Sequence, residues 1–286
     1  MSPRTVAIIQ ARMGSSRLPG KVLMEIEGRA MLGRVVDRVR LAKRIDAVIL
    51  ATSTDAADDA IAEYCGAEGI AWTRGSHFDV LDRYYQAALA NTAARVVRIT
   101  ADCPLIDPDL IDAAVDILAG DKGEFSTQGE VSPAFDFVAN RLPPPYPRTY
   151  PIGLDVEVCT FDALERAWRE ARDASDREHV MPYLYRGVTL APVVELLRSG
   201  MSPRGFRVAV LDYLVDLGTQ RWTVDTGEDL DFVNQVYSHF SGRSDFSWLE
   251  VLELLRRRPD LLTINADIRH KALGEVDPRA IGHDGK

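Results

Sequence analysis

The segment richest in chemically useful side chains runs from Gln10 to Lys21, directly after a short β-rich run. It carries two glycines, two serine hydroxyls and three cations (Arg12, Arg17 and Lys21), and it has no acidic residue. Backbone N–H groups, hydroxyls and cations are the groups that bind a triphosphate. Three cations that repel one another are costly to cluster in an ordinary surface turn, so we interpret the loop as an anion site.

The spacing of this loop excludes two familiar nucleotide motifs. A Walker A loop has four residues between its first Gly and its Gly-Lys pair, and Ser or Thr comes next. Here five residues separate Gly14 from Gly20, and Val22 follows Lys21. The dinucleotide fingerprint G-x-G-x-x-G is also absent. The loop therefore indicates a phosphate site of another kind.

Two aspartates could complete this site. Asp102 follows the strand-like run Val96–Thr100, and Asp225 follows the strand-like run Arg221–Val224. Ligands of open α/β sheets bind at the carboxyl ends of strands, and Mg²⁺ is usually held by one or two carboxylates together with substrate phosphates. The pair therefore predicts a Mg²⁺ site if the fold brings the two together. Each aspartate alone could equally be a helix-entry or capping residue.

The elements that must position these residues alternate between strand and helix. Apolar runs predict strands at 5–10, 47–52, 70–73 and 96–100, and helical spacing of apolar residues predicts a helix after each run. This rhythm predicts a mostly parallel sheet with helices on both faces. After Gly120 the rhythm breaks at a polar, proline-rich stretch that extends to Pro147. Further strands are predicted at 154–158, 206–211 and 221–224, and further helices at 162–171, 176–185, 229–240 and 248–257.

Bulk composition narrows the class of protein. The net charge of −9 argues against a general nucleic-acid binder. No apolar run approaches the length of a membrane span, and the N-terminus lacks the pattern of a signal peptide. Three scattered cysteines are too few for a disulfide framework or a zinc site, so a reducing cytoplasm is the expected location.

Seven blocks, in order, resemble a known family. Residues 8–23 resemble the N-terminal signature of the cytidylyltransferases that activate 3-deoxy-manno-octulosonate and acylneuraminates. The chain from residue 4 to about 240 more closely resembles the branch of the spore coat polysaccharide biosynthesis protein F. The blocks are 9–15, 74–76, 80–85, 99–104, 153–158, 177–180 and 221–226.

The resemblance implies a three-layer α/β/α sandwich of the nucleotide-diphospho-sugar transferase type. It also implies Mg²⁺-dependent transfer of CMP from CTP to an acidic sugar or related small acceptor, with release of pyrophosphate, for surface polysaccharide biosynthesis. The expected catalytic cations are Arg12, Arg17 and Lys21. The expected nucleotide-binding residues are Ala11, Arg12, Gly14, Ser15, Lys21, Ser53, Arg74, Thr100 and Ala101. The expected metal ligands are Asp102 and Asp225, and the expected acceptor residues are Asp155, Glu157, Glu178 and His179, with Arg148 as a cationic partner for the first two.

The sequence departs from the octulosonate enzymes at one informative place. Thr100-Ala101 stands where those enzymes have Gln-Gly, and the Gln helps to bind the nucleoside, so the choice of base stays open. The acceptor segment also lacks their pattern, which leaves the sugar open. A glycosyltransferase with the same sheet is an alternative, although the usual Asp-x-Asp motif is missing at Asp102-Cys103-Pro104. A second alternative is a non-catalytic relative that binds a nucleotide.

The remaining expectations concern domains and assembly. A nucleotidyltransferase domain is predicted over 1–241 and a C-terminal helical extension over 242–286. In the extension, Trp248, Val251, Leu252 and Leu255 form an apolar face, which we expect to pack on the same chain. Deleting the extension should therefore lower stability more than turnover. Related cytidylyltransferases pair through an inserted element after the sheet core, so we expect a homodimer that uses residues 120–147.

Overall fold

The protein, as a computed structural model, is described over residues 3–120 and 135–269. The strands are β1 (Thr5–Gln10), β2 (Glu25–Ile26), β3 (Arg29–Ala30), β4 (Ala47–Ser53), β5 (Ala71–Gly75), β6 (Arg95–Thr100), β7 (Phe137–Ala139), β8 (Glu157–Thr160), β9 (Leu197–Met201) and β10 (Arg207–Leu211). The helices are α1 (Met31–Val39), α2 (Asp59–Ala67), α3 (Val80–Ala90), α4 (Pro108–Ala119), α5 (Phe161–Glu170), α6 (Ala174–His179), α7 (Pro182–Tyr185), α8 (Gly227–His239) and α9 (Trp248–Arg257). Short 3₁₀ turns cover Lys21–Leu23, Ala56–Asp58 and Pro259–Thr263.

Eight of these strands form one mixed sheet in the order β5-β4-β1-β6-β8-β7-β10-β9. The strands β5, β4, β1 and β6 are parallel, as the sequence predicts for the first 120 residues. The strand β8 runs antiparallel between β6 and β7, and β9 runs antiparallel to β10 at the edge. In the register of β1 and β6, Gln10 pairs with Thr100. The phosphate-type loop and Asp102 therefore leave the sheet side by side.

Helices cover both faces of the sheet, which confirms the predicted three-layer α/β/α sandwich. Along β1, Val6 and Ile8 enter one core and Ala7 and Ile9 enter the other, and all four are fully buried. The first core contains side chains of α3 and α5. The second contains side chains of α1, α2, α4, α8 and α9. Burial on both faces explains why β1 reads as a continuous apolar run.

Three secondary-structure predictions differ from the structure in the second half of the chain. Residues 221–224 form no strand, because Arg221 makes only an isolated bridge to Ile152. The helix predicted at 176–185 is two short helices, since Val180 adopts a φ of 71° between them. The strand predicted at 154–158 begins later, at Glu157. The dimer prediction falls in part on residues 121–134, which lie outside the described residues.

The start of the C-terminal extension packs on the main core, as predicted. Trp248, Val251 and Leu255 of α9 are buried, and Leu252 is half-buried against the same cluster. The backbone N–H of Trp248 donates a 2.7 Å hydrogen bond to Oδ2 of buried Asp107, the residue that caps α4. Residues 270–286 lie outside the described residues. Among the described helices, each is too short or too polar to cross a membrane.

Candidate active site

The loop after β1 is folded back on itself and fixed to a buried acid. The carbonyl of Met13 accepts hydrogen bonds from the N–H of Ser15 (2.9 Å) and of Gly20 (3.0 Å). Gly20 has a φ of 73°, a left-handed conformation that favours glycine. The N–H of Met13 donates to Oδ1 of Asp58 at 2.7 Å, and Asp58 is buried. Asp58 therefore acts as the anchor of the loop, a role that the sequence did not reveal.

Lys21, at the end of this loop, joins the two aspartates. Its Nζ lies 2.9 Å from Oδ2 of Asp102 and 2.8 Å from Oδ1 of Asp225, and it donates to the carbonyl of Val224 at 2.7 Å. Burial alone would lower the pKa of Lys21, but the charges of Asp102 and Asp225 outweigh it, and the pKa is raised. Lys21 is therefore a permanent cation. The predicted juxtaposition of the two aspartates is present.

Asp225 reaches Asp102 through backbone contacts rather than through a strand. The carbonyl of Asp102 accepts hydrogen bonds from the N–H of Val224 (2.9 Å) and from Oγ1 of Thr223 (3.0 Å). Gly153 lies against the same segment, and a Cβ at that position would be 2.5 Å from the backbone N of Thr223. Only glycine permits this approach, which holds residues 222–225 beside the end of β6.

Three cations surround the carboxylate of Asp225. Besides Lys21, Nη2 of Arg17 lies 2.7 Å from Oδ2, and Nη2 of Arg221 lies 2.5 Å from the same oxygen. Burial would raise the pKa of Asp225, but Lys21 and Arg17 overcome it and hold the pKa well below its usual range. The pKa of Asp102 is lowered as well, with Lys21 outweighing burial and the charge of Asp225. Both aspartates are therefore ionised at neutral pH.

A cavity of about 260 Å³ opens beside these groups. Twelve of the residues proposed from the sequence line it. They are Ala11, Arg12, Gly14, Ser15, Arg17, Lys21, Thr100, Ala101, Asp102, Glu178, His179 and Asp225. Arg83 of α3 adds a buried cation to the lining that the sequence analysis did not select. A cluster of cations around backbone amides and small residues is suited to a nucleoside triphosphate.

Ser53 and Arg74, two of the proposed nucleotide ligands, lie away from this cavity. The hydroxyl of Ser53 is fully buried and donates to Asp58, the anchor of the loop. The guanidinium of Arg74 donates to the carbonyl of Ser53 at 2.7 Å and to Oδ1 of Asp59 at 2.6 Å. Their contacts brace the segment that holds the loop.

A second cavity, of about 180 Å³, shares a wall with the first. The shared wall consists of Thr100, Asp102 and Asp225, and the new lining includes Asp155 and Glu157. Two of the proposed acceptor residues therefore lie in a second compartment next to the aspartate pair. The other two, Glu178 and His179, line the first.

The proposed cationic partner of the two acids is correct for only one of them. Arg148 makes a bidentate pair with Asp155, with distances of 2.6 and 3.0 Å. Glu157 instead pairs with Arg98, its neighbour in register on β6. The strand begins only at Glu157, so Asp155 and Glu157 do not alternate along one strand. Each of the two acids pairs with a different arginine.

His179 lies in a strongly cationic part of the site. Burial, followed by the charges of Arg98, Arg141 and Arg12, lowers its pKa to about 4. Its Nε2 atom is buried and makes no hydrogen bond within the described residues. The ring is therefore neutral at physiological pH and has a nitrogen available for a ligand.

The aspartate pair has the donor set that Mg²⁺ prefers when it binds with a nucleotide. One carboxylate oxygen of each aspartate lies within 3 Å of the Lys21 ammonium. The two oxygens are therefore close enough together to contact the same cation. Within the described residues there is no cluster of three or more His, Cys, Asp or Glu side chains that would form an all-protein metal cage. Two carboxylates completed by substrate phosphates fit Mg²⁺.

Comparison with known proteins identifies the family. The family profile of the cytidylyltransferases matches residues 6–240. A protein of Methanocaldococcus jannaschii is 34% identical over 96% of this chain and 99% of its own length. The spore coat polysaccharide biosynthesis protein SpsF of Bacillus subtilis is 31% identical over 90% of this chain and 95% of its own length.

A solved structure agrees with this assignment. The structure of a cytidylyltransferase from Leptospira borgpetersenii serovar Hardjo-bovis superimposes with a TM-score of 0.77 at 28% identity, and the match covers 94% of this chain and 100% of that one. The chain therefore belongs to the cytidylyltransferase family and is a nucleotidyltransferase.

Proposed function

We propose that this enzyme transfers CMP from CTP to a small acidic sugar or related acceptor, releases pyrophosphate and requires Mg²⁺. One observation carries the proposal: two cavities, one lined by the basic loop and one by acids and arginines, meet at Thr100, Asp102 and Asp225. This arrangement suits two substrates that bind in separate cavities and react where the cavities adjoin.

The first cavity is the proposed CTP site. Arg12, Arg17 and Lys21 neutralise the triphosphate, with Ser15 and the backbone around Ala11 and Gly14 as hydrogen-bond donors. Thr100 and Ala101 lie where the nucleoside would pass the end of β6. Ser53 and Arg74 support the site indirectly, since they contact the Asp58–Asp59 segment that anchors the loop.

Asp102 and Asp225 would hold the Mg²⁺ between the two cavities. The ion would supply charge neutralisation for the phosphates and the leaving pyrophosphate. Lys21 pairs with both aspartates and also lines the first cavity, so its permanent charge would help to neutralise the phosphates. The residues themselves contribute positioning and electrostatic stabilisation, which is what phosphoryl-type displacement requires.

The second cavity is the proposed acceptor site. An acceptor oxygen there would attack the α-phosphorus in line, while pyrophosphate leaves toward the basic loop. Asp155 and Glu157 offer carboxylate oxygens for acceptor hydroxyls, with Arg148 fixing Asp155. Glu178 and His179 line the first cavity, and we propose that they contact the acceptor from that side.

The acceptor would displace pyrophosphate directly, without a covalent enzyme intermediate. The nearest thiol, Cys103, is buried, and burial raises its pKa well above the usual value. It therefore stays protonated and is a poor nucleophile.

The SpsF relative is named for spore coat polysaccharide biosynthesis, which supports a surface polysaccharide as the destination of the product.

The experiment that tests the proposal is pyrophosphate release from each of the four common NTPs with a panel of acidic and neutral sugars. We expect release with CTP and an acidic acceptor. Sugar transfer from a nucleotide-sugar, with no pyrophosphate release from any NTP, would favour a glycosyltransferase. Nucleotide binding without turnover of any kind would favour a non-catalytic relative.

A further inference from the structure

One cation in the second cavity has no counter-charge among the residues that the structure describes. Arg141, two residues beyond the end of β7, lines this cavity. It is half-buried, and its guanidinium makes no hydrogen bond or ion pair with the residues that the structure describes. A partly desolvated guanidinium without a partner is costly unless a ligand supplies one.

The acids around Arg141 are already paired with other cations. Asp102 and Asp225 share Lys21, Asp155 is held by both nitrogens of Arg148, and Glu157 pairs with Arg98. Each of these carboxylates therefore has a cation at hydrogen-bond distance. The positive charge of Arg141 is left over when the charged groups that line the cavity are matched.

The field at the neighbouring His179 agrees with this surplus. Burial lowers the pKa of His179, and the next contributions come from Arg98 and Arg141. The charge of Glu157 offsets that of Arg98 through their ion pair, whereas no described carboxylate contacts Arg141. Among the described residues, Arg141 therefore adds a positive charge near His179 that no carboxylate contact offsets.

We propose that Arg141 binds the carboxylate of the acceptor and thereby selects acidic acceptors over neutral ones. The inference rests on the proposed function, because it assigns the acceptor to the second cavity. A guanidinium fork matches a carboxylate with two parallel hydrogen bonds. Within the described lining of this cavity, one surplus cation beside four paired acids suits a monoanion better than a phosphate group, which carries a charge of about −1.5 to −2.

The test compares the wild type with Arg141→Gln on acid and carboxamide forms of the same sugars. The probes are N-acetylneuraminate, 3-deoxy-manno-octulosonate and their carboxamides, assayed by pyrophosphate release from CTP. In Arg141→Gln we expect the KM of the acid to rise roughly 10- to 100-fold, the scale of losing one charged hydrogen-bonded pair, with a smaller change in kcat. The KM of the carboxamide should hardly change, because the amide does not need the cation. The KM of the acid in Arg141→Lys should lie between the values of the wild type and Arg141→Gln, since lysine keeps the charge but cannot make the two parallel hydrogen bonds of the guanidinium.

Two controls separate this inference from the proposed function. Arg40→Gln makes the same charge change at an exposed position after α1 and should leave every constant at the wild-type value. CTP binding, measured by titration calorimetry, should be equal in the wild type and in Arg141→Gln. A wild type that fails to bind CTP contradicts the proposed function. A wild type that binds CTP but uses neutral or phosphorylated sugars as well as acids, or that neither uses nor binds either acid, overturns the role of Arg141. An acid KM unchanged in Arg141→Gln does so too.

Discussion

The side-chain amide of Asn265 donates a 2.9 Å hydrogen bond to Oδ1 of Asp229. Asp229 in turn holds Arg221 through two contacts of 2.8 and 3.0 Å, and Arg221 lies 2.5 Å from the carboxylate of Asp225. Asn265 and Asp229 are both buried. The C-terminal extension therefore connects through a chain of side chains to an aspartate that we propose as a metal ligand.

This connection predicts an effect of Asn265→Ala on metal use as well as on stability. Removing the amide leaves a buried charged acceptor short of one donor, so the free energy of unfolding should fall by about 1–3 kcal/mol. The concentration of Mg²⁺ needed for half-maximal rate should rise, because Arg221 is less firmly placed against Asp225. Urea unfolding and a Mg²⁺ titration of turnover measure the two effects. A purely structural role would lower stability and leave the Mg²⁺ titration unchanged.

The aspartate pair gives the second prediction. Asp102→Asn and Asp225→Asn should each nearly abolish turnover, because an amide cannot neutralise the ion or pair with Lys21. The change at Asp102 is the cleaner of the two, since Asp225 also pairs with Arg17 and Arg221. Asp109→Asn, on the exposed side of α4, should keep wild-type turnover. Full activity in either site variant, or full activity of the wild type in EDTA, would contradict the metal assignment.

Lys21 gives the third prediction. Lys21→Ala should reduce turnover roughly 10²–10³-fold at saturating nucleotide, the scale of losing one preorganised charge stabiliser. The variant also leaves Asp102 and Asp225 without their shared cation, so thermal stability should fall. Arg4→Ala, another cation of the basic N-terminal segment but exposed and outside the loop, is the matched control. A loss of less than threefold in Lys21→Ala would refute the role.

The sequence was sufficient to select the main cavity because its chemistry is local. The loop from Arg12 to Lys21 carries its three cations within ten consecutive residues, and Asp102 follows a strand with a clear apolar pattern. The sequence pattern was less informative for Asp225. Its segment was predicted as a strand, but the hydrogen bonds of Thr223 and Val224 go to the carbonyl of Asp102.

Other members of the site depend on contacts between residues far apart in the chain. Asp58 supports Met13 from 45 positions away, and an Asp near a helix start is normally a cap. The pairing of Glu157 with Arg98 follows from the antiparallel register of β8 and β6, which the sequence did not indicate. The role proposed for Arg141 depends on the pairing of nearby acids with other cations, and the fold rather than the sequence determines those pairs.

His179 gives a prediction about pH. Its pKa is lowered to about 4, chiefly by burial and then by Arg98, and the unfolded chain has a value of about 6.5. Below pH 6.5 the unfolded state takes up a proton that the folded state does not, so the free energy of unfolding falls as the pH falls. Between pH 7 and pH 5 this contribution is at most about 2 kcal/mol.

The variant His179→Asn should therefore lose less stability between pH 7 and pH 5 than the wild type. Urea unfolding at the two pH values measures the difference. His239→Asn, at an exposed position near the end of α8, should show the wild-type pH dependence. Equal losses in His179→Asn and the wild type would show that His179 is not held neutral by its surroundings.

We propose that CMP passes from CTP to an acidic acceptor where the two cavities adjoin, at Thr100, Asp102 and Asp225. The most direct measurement is the product of a reaction with CTP labelled at the α-phosphorus, Mg²⁺ and the acidic sugar panel. We expect the label to appear in a CMP–sugar conjugate, with one pyrophosphate released per conjugate and almost no conjugate formed by Asp102→Asn. Label that stays in CTP with every acceptor, or a conjugate formed equally well by Asp102→Asn, would contradict it.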